Sequence, residues 1–193
     1  MYRRSFRLGA TTLMFTAAMA LGGCAMVQQN PSSTLKPVNA VSDGSDSRVI
    51  LKGHDVVSYF TQGKHALGTA QHSSVYQDVT FRFANAEHKA LFDKEPGKYI
   101  PQYGGYCANG IAYGIPWGGD ADTWSIINGK LYIFGGQGSK DGFHVDTPGN
   151  LKLADQYWKD EVAGNNSFIQ RAKRLTFKVP HYKSGEQIAK EVA

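Results

Sequence analysis

Cysteine is scarce in this chain, and its scarcity excludes two kinds of small protein. The 193 residues include two cysteines, Cys24 and Cys107. Two cysteines cannot build the disulfide framework of a small secreted domain, and they cannot supply the four thiolates of a structural zinc site. The chain is therefore expected to be held by an ordinary hydrophobic core, for which 41% hydrophobic residues are sufficient.

An excess of charge is also missing once the amino-terminal segment is set aside. The formal net charge is +5, but Arg3, Arg4 and Arg7 lie in a segment that we expect to be removed. Without them, 18 basic residues stand against 16 acidic ones, a net charge of +2. No stripe of lysine and arginine interleaves with aromatic residues, so a nucleic-acid partner is not expected.

The first 23 residues have the pattern of a signal peptide. Residues 1–7 are basic, and residues 8–21 form an apolar run that is short for a bilayer span. Residues 21–24, LGGC, resemble a bacterial lipobox, in which the peptide is cut before the cysteine and the thiol is acylated. The resemblance implies that Cys24 anchors the protein to a membrane. The alternative is a plain secretory signal with an incidental cysteine.

Three further features concern export. Ala25 follows the cysteine, and in the lipoproteins that this chain resembles a non-acidic residue there directs sorting to the outer membrane. Residues 3–6, RRSF, resemble a twin-arginine signal, which carries proteins across the membrane already folded, although any signal peptide begins with basic residues. Residues 24–47 comprise the lipidated cysteine and a polar tether. We therefore expect a lipid-anchored protein on the periplasmic side of the cell envelope, at the outer membrane.

Two β-hairpins are predicted, each centred on a short turn. β-prone runs flank Asn128 and Gly129, and an Asn-Gly pair tolerates the positive φ angles of a two-residue hairpin turn. The other hairpin turns at Gln77 and Asp78, between two shorter β-prone runs. A separate short strand is predicted over residues 48–52.

Three helices are predicted where a capping residue precedes apolar residues at helical spacing. Asp55 caps a short helix. Asn85 caps a longer helix that runs to Lys94, and Thr147 begins a third that ends at Gly164. The buried stripe of the second helix is expected to consist of Ala86, Ala90 and Leu91.

Few strands and separate helices together predict one small α+β domain over residues 48–164. Residues 135–140, GGQGSK, lack the spacing of a phosphate-binding loop and are expected to be an ordinary loop. Residues 165–193 are a basic C-terminal extension, in which Ser184 and Gln187 are placed to form a helix-capping box.

Several stretches of the predicted domain together resemble the YHS-domain family, in its branch of exported, stand-alone proteins. They are residues 53–60, 76–92, 95–99 and 101–108. The resemblance extends over residues 48–162 and implies short antiparallel hairpins with several packed helices. The family is usually described as binding heavy metals.

The metal-binding pattern of that family is only partly present. The family pairs two cysteines, and the corresponding positions here are Ala84 and His88. The resemblance thus leaves His88 as the ligand position with a competent side chain. His54 is a further candidate, because the neighbouring Asp55 could fix the tautomer of its ring. The plainer alternatives are a solvated His88, a His54 in a turn and an Asp55 that only caps a helix.

Cys107 is the residue best suited to chemistry. If the lipobox cysteine is acylated, Cys107 is the free thiol of an exported chain and has no internal disulfide partner. Tyr103 and Tyr106 flank it, and the resemblance implies that Asp55 and Tyr59 line the same cavity. The alternatives are a Cys107 that packs as a small hydrophobic residue and a Tyr59 that belongs to the core.

These residues support three hypotheses about function. The first is a non-enzymatic, lipid-anchored module that binds a soft or borderline metal, copper or zinc, through Cys107 with His88 and His54. The second is a thiol redox protein in which Cys107 is oxidised or forms mixed disulfides. The third is a structural envelope lipoprotein that binds a protein partner. A histidine near the thiol favours the first, an exposed thiol near a positive group or helix start favours the second, and an exposed apolar patch with a buried Cys107 favours the third.

Overall fold

The computed structural model describes residues 40–41 and 48–193. The predicted signal peptide, Cys24 and most of the tether lie outside the described residues. Within the part of the chain that the structure covers, no helix is both long and apolar enough to cross a bilayer.

A four-stranded sheet forms the first layer of the domain. Its strands are β1 (Ala40–Val41), β2 (Val49–Ile50), β3 (Thr69–Tyr76) and β4 (Val79–Phe83). They lie in the order β1-β2-β4-β3, with β2 parallel to β4 and the other pairs antiparallel. β3 and β4 form a predicted hairpin, and both of its turn residues, Gln77 and Asp78, have positive φ.

The strand predicted over residues 48–52 is shorter than expected. It ends at Ile50 because Leu51 and Lys52 adopt positive φ angles in a tight 3-10 turn, Leu51–Gly53. The second predicted hairpin is confirmed. β5 (Asp120–Ile127) pairs antiparallel with β6 (Lys130–Phe134) around a turn whose two residues both have positive φ.

The described helices surround these strands, which confirms the predicted α+β class. They are α1 (Ser58–Thr61), α2 (Ala86–Lys94), α3 (Pro96–Tyr99), α4 (Ala108–Ile111), α5 (Gln137–Val145), α6 (Thr147–Tyr157), α7 (Ser167–Thr176) and α8 (Gly185–Val192). A π-helical turn, Trp158–Val162, extends α6 toward Gly164, whose φ is +80°. The predicted third helix is thus confirmed together with its glycine end.

The hydrophobic core consists of clusters drawn from residues 50–179. The first includes Ile50, Phe81, Phe83, Phe92 and Leu131; the second includes Tyr106, Ile111, Phe134, Phe143 and Ala154; the third includes Tyr113, Ile115 and Val179. Because the members of these clusters among the described residues all follow residue 49, we expect the chain from Ala25 onward to fold without the first 24 residues.

The buried stripe predicted for α2 is wrong. Ala86 and Ala90 are exposed and Leu91 is only partly buried, whereas His88 and Phe92 face the interior. The helix is rotated from its predicted orientation because His88 has a buried hydrogen-bond partner elsewhere in the fold. The cap itself is confirmed, since the side chain of Asn85 accepts a hydrogen bond from the His88 N–H.

The loop expected at residues 135–140 is also wrong, because α5 begins at Gln137. Glycine is a poor helix former, and α5 contains Gly138 and Gly142. The close packing of α8 against α5 explains the glycine at position 142. A Cβ atom there would lie 2.4 Å from the Cγ2 atom of Ile188, so α8 could not approach α5 as it does.

The C-terminal extension forms two helices that pack on the domain. α7 is held by the Glu161 carboxylate, which accepts hydrogen bonds from Arg174 at both oxygens and from Gln170 and Lys173. α8 begins with the predicted capping box, in which Ser184 and Gln187 each accept a backbone hydrogen bond from the other.

Acid is expected to weaken the attachment of α7. Burial alone raises the pKa of Glu161, but hydrogen bonds from Arg174 and Gln170 and the charge of Arg174 outweigh it and leave that pKa below its usual 4.5. The interaction is therefore fully present above about pH 4.5 and is lost as the pH falls through the lower, folded-state pKa.

Glu161→Gln should remove this acid-dependent loss and lower stability at pH 7 by about 1–3 kcal/mol. Urea unfolding at pH 7 and at pH 3.5 measures both effects. Glu186→Gln, which removes an exposed pair with Lys190, is the control and should change neither. An unaltered pH dependence in Glu161→Gln would show that another group controls the acid response.

Candidate functional site

Cys107 lies where a glycine-rich turn meets the start of α4. The preceding 3-10 turn, Gln102–Gly105, contains three consecutive residues with positive φ, at positions 103–105. The Cys107 N–H then donates to the Trp117 carbonyl, 2.9 Å away, and the residue pairs with Ile133 of β6. The backbone of Cys107 is therefore fixed from both sides.

Glycines let these segments approach one another. A Cβ atom at Gly119 would lie 2.4 Å from the Ile133 side chain and 2.6 Å from the Gly105 carbonyl, and one at Gly110 would lie 2.7 Å from the Ile115 carbonyl. Side chains at either position would separate the segments that hold Cys107. The glycines around the thiol thus serve backbone packing.

The thiol of Cys107 is buried and has two polar neighbours. Cys107 is 1% exposed. Its Sγ atom lies 3.0 Å from the hydroxyl oxygen of Ser139 on α5 and accepts a hydrogen bond from the Gly110 N–H at 3.4 Å. The Ser139 contact could not be foreseen, because it joins two segments that are distant in the sequence.

A cavity of about 390 Å³ opens beside this thiol. Its polar wall includes Cys107, Asn109 and Ser139. Its aromatic and apolar wall includes Trp117, Tyr182 and Ile188. The volume falls within the range of small-molecule sites, and the mixture of an apolar wall with a few polar groups is typical of them.

Asn109 is the unexpected member of the cavity wall. Its side chain is 3% exposed, and its Oδ1 atom has no hydrogen-bond partner among the described residues. A buried acceptor left without a donor costs about 1–3 kcal/mol, so such atoms are uncommon in folded proteins. A ligand N–H or O–H group that reached this oxygen would supply the missing donor. No sequence pattern identifies Asn109 as a site residue, because most of the residues that surround it in the cavity are distant from it along the chain.

The start of the C-terminal helix closes one side of the cavity. Lys183, Gly185, Ile188 and Ala189 line it, and the Lys183 ammonium donates to the Glu191 carboxylate at 2.6 Å. Burial, followed by the negative charge of Glu191, raises the pKa of the Tyr113 hydroxyl in the same wall. Residues 165–193, predicted only as an extension, thus contribute to the site.

His88 and Asp55 form a buried pair away from this cavity. The His88 Nδ1 atom lies 2.6 Å from Asp55 Oδ2, and its Nε2 atom lies 3.2 Å from the Thr61 hydroxyl. Asp55 also accepts backbone hydrogen bonds from Val57, Ser58 and Ala84. Asp55 therefore accepts backbone hydrogen bonds in the turn that leads into α1, as its plainer interpretation predicts, although α1 itself begins at Ser58. His88 is not solvated, and both of its ring nitrogens are engaged.

The other predicted site residues also have partners outside the cavity. The His54 Nδ1–H group donates to the Leu51 carbonyl, the Tyr59 hydroxyl donates to the Ala121 carbonyl, and the Tyr103 hydroxyl donates to Asp155. Tyr106 is buried in the second core cluster. Burial raises the pKa of all three tyrosines. Asp55, Tyr59, Tyr103 and Tyr106 therefore do not line the cavity beside Cys107, since each is held by the core instead.

The residues predicted as metal ligands do not form a donor set. No histidine lines the cavity beside Cys107. Over residues 40–41 and 48–193, no group of three or more His, Cys, Asp and Glu side chains is arranged to hold a metal ion. His88 and His54 lie in other hydrogen-bond networks, so the thiolate-imidazole site predicted for copper or zinc does not fit this arrangement, and metal binding stays a prediction.

Comparison of the chain with protein-family models, with curated proteins and with solved structures finds no match. The resemblance to the YHS-domain family therefore remains a prediction from a few stretches of sequence.

Proposed function

We propose that the protein is a lipid-anchored periplasmic thiol protein, which holds a small organic disulfide beside Cys107 and exchanges with it. The observation that carries this proposal is the cavity itself. Its lining combines the Cys107 thiol and Asn109, whose buried amide oxygen has no donor among the described residues, with the aromatic and apolar side chains of Trp117, Tyr182 and Ile188. The burial of Cys107 and the exposed apolar side chains of α7 meet the criterion for the structural hypothesis. The cavity beside the thiol and the position of Cys107 at the start of α4 favour the redox hypothesis, which we adopt here.

The exchange needs no group beyond the protein and the disulfide. The Cys107 thiol loses its proton to solvent, and its sulfur attacks one sulfur of the ligand. A bond forms between that sulfur and Cys107, the ligand's own S–S bond breaks, and the departing thiolate takes up a proton. The product is a mixed disulfide on the protein and one free small thiol.

The cavity limits the chemical class of the ligand. About 390 Å³ accommodates a small molecule. An amide N–H or an ammonium group would satisfy Asn109, and an apolar portion would pack against Trp117 and Tyr182. A low-molecular-weight disulfide that carries an amide or amino group and an apolar portion meets both requirements.

Incubation with oxidised glutathione, followed by intact-mass measurement, tests the proposal on the chain from Ala25 onward. We expect one glutathionyl adduct on the native protein and none on Cys107→Ala. The native thiol should react faster than the same thiol in urea at equal pH, because binding concentrates the disulfide beside it. Asn109→Ala should slow the native reaction, whereas Asn150→Ala, which lies outside the cavity, should not.

A native reaction slower than the reaction in urea would overturn the proposal and identify Cys107 as a buried packing residue. Elemental analysis of the same preparations tests the metal hypothesis separately. Stoichiometric copper or zinc that disappears in Cys107→Ala would favour metal binding over disulfide exchange.

A further inference from the structure

Helix α7 has its apolar side chains on the outside. Its buried residues are polar, Ser167 and Gln170. Phe168 is 62% exposed, Ile169 is 65% exposed and Phe177, just after the helix, is 70% exposed. In soluble domains the apolar side of an amphipathic helix normally faces the core, and the orientation of α7 is the reverse.

Buried polar contacts fix that orientation. Gln170 donates to the Gly114 carbonyl, and Arg171 donates to the Pro116 carbonyl. Arg174 pairs with Glu161 on the same side of the helix. Rotating α7 to bury Phe168 would break all three contacts. These contacts therefore stabilise the orientation in which the apolar side of α7 faces outward. We define the α7 face as Phe168, Ile169, Leu175 and Phe177, all of which are exposed.

The surroundings of the α7 face carry charges of both signs with a basic excess, since Asp160 and Glu161 lie beside Ile169 and Lys173. Residues 165–183 contain five lysine and arginine residues and no aspartate or glutamate. Glu161 and Glu191 offset part of this charge through their ion pairs, while Lys178 is exposed beside Phe177. Exposed aromatic and aliphatic side chains next to lysine are the pattern of helices that lie in the interface of an anionic bilayer.

The predicted anchor brings this face within reach of a membrane. From Cys24 to the start of β1 at Ala40, the chain can extend at most about 55 Å. That reach exceeds the roughly 15 Å radius of gyration expected for a domain of this size. Tethering also gives the domain a high effective concentration at the membrane surface. A face with weak intrinsic affinity for lipid is then sufficient for binding.

We propose that the α7 face is a second membrane contact, which inserts into the interface of an anionic phospholipid bilayer. The face then acts together with the lipid anchor, and the domain rests on the membrane in one orientation. The basic excess around the face favours an anionic bilayer over a second copy of the chain, which carries the same excess.

Sedimentation with vesicles tests this proposal without help from the acyl group, using the chain from Ala25 onward. Vesicles of phosphatidylethanolamine and phosphatidylglycerol should bind it, and vesicles of phosphatidylcholine should bind it more weakly. The triple variant Phe168→Ser, Ile169→Ser, Phe177→Ser should lose at least about tenfold in affinity. The double variant Leu67→Ser, Val75→Ser removes similarly exposed side chains that lie elsewhere and should bind normally.

Three results would overturn the proposal: no binding to either kind of vesicle, equal losses in both variants, or a concentration-dependent dimer that the triple variant abolishes. The last would assign the face to a second copy of this chain. Because no step of this test involves Cys107, its outcome is independent of the proposed disulfide exchange.

Discussion

Replacing Asp55 with alanine is expected to lower the free energy of unfolding by about 3–5 kcal/mol, the largest effect that we predict for a single side chain. Asp55 is fully buried. Its two carboxylate oxygens accept hydrogen bonds from three backbone N–H groups, and Oδ2 also lies 2.6 Å from the Nδ1 atom of His88. Alanine leaves these groups in the interior without a partner, and each costs free energy because water cannot replace the acceptor.

Urea unfolding of Asp55→Ala, Asp55→Asn and Asp93→Ala measures this effect. Asparagine keeps one acceptor, so it should cost less than alanine. Asp93 pairs with Lys89 at the surface, and its removal should cost no more than about 1 kcal/mol. Equal losses for Asp55→Ala and Asp93→Ala would show that the buried pair adds no more than an exposed one.

Gly142→Ala is expected to speed the reaction of Cys107 with a bulky dye maleimide by roughly five- to a hundredfold. The new methyl group would lie 2.4 Å from a methyl group of Ile188, so Ile188 must shift, and we expect α8 to move away from α5 with it. Overpacking of this kind costs about 1–3 kcal/mol, and each 1.4 kcal/mol corresponds to a factor of ten. A reagent too large for the cavity reaches the thiol mainly when α8 is displaced, so its rate reports that displacement.

Gly138→Ala is the matched control on the same helix. A Cβ atom at Gly138 meets no atom within 4 Å, so the substitution should stabilise α5 by up to about 1 kcal/mol through helix propensity alone. Its labelling rate should stay at the native value. Labelling that is equally fast in both variants would contradict the role of Ile188 as the outer wall of the cavity.

The features that the sequence predicts well are local. The turn at Asn128 and Gly129 and the capping box of Ser184 and Gln187 depend on residues that are neighbours along the chain. Their chemistry constrains the backbone wherever the segment lies in the fold. The α+β class follows from the same kind of signal.

The features that sequence patterns miss depend on contacts between distant segments. His88 is buried because Asp55, 33 residues earlier, lies opposite it, so the stripe of alanines predicted for α2 faces solvent. The glycines within residues 135–140 predict a loop, although α5 begins at Gln137. Asn109 becomes notable only when its amide oxygen is seen to lack a donor.

The residues that line the cavity are synthesised in two stages, because those of α8 come last in the chain. Cys107, Trp117 and Ser139 are synthesised before the segment around Ile188, and the hairpin that supports them is complete by Phe134. During synthesis the cavity therefore lacks the part of its wall around Ile188 until α8 docks, after the rest of the domain can already have folded. Oxidation in that interval would modify Cys107 before the cavity is complete. Export of an already folded chain would confine that interval to the reducing cytoplasm, where the thiol is protected.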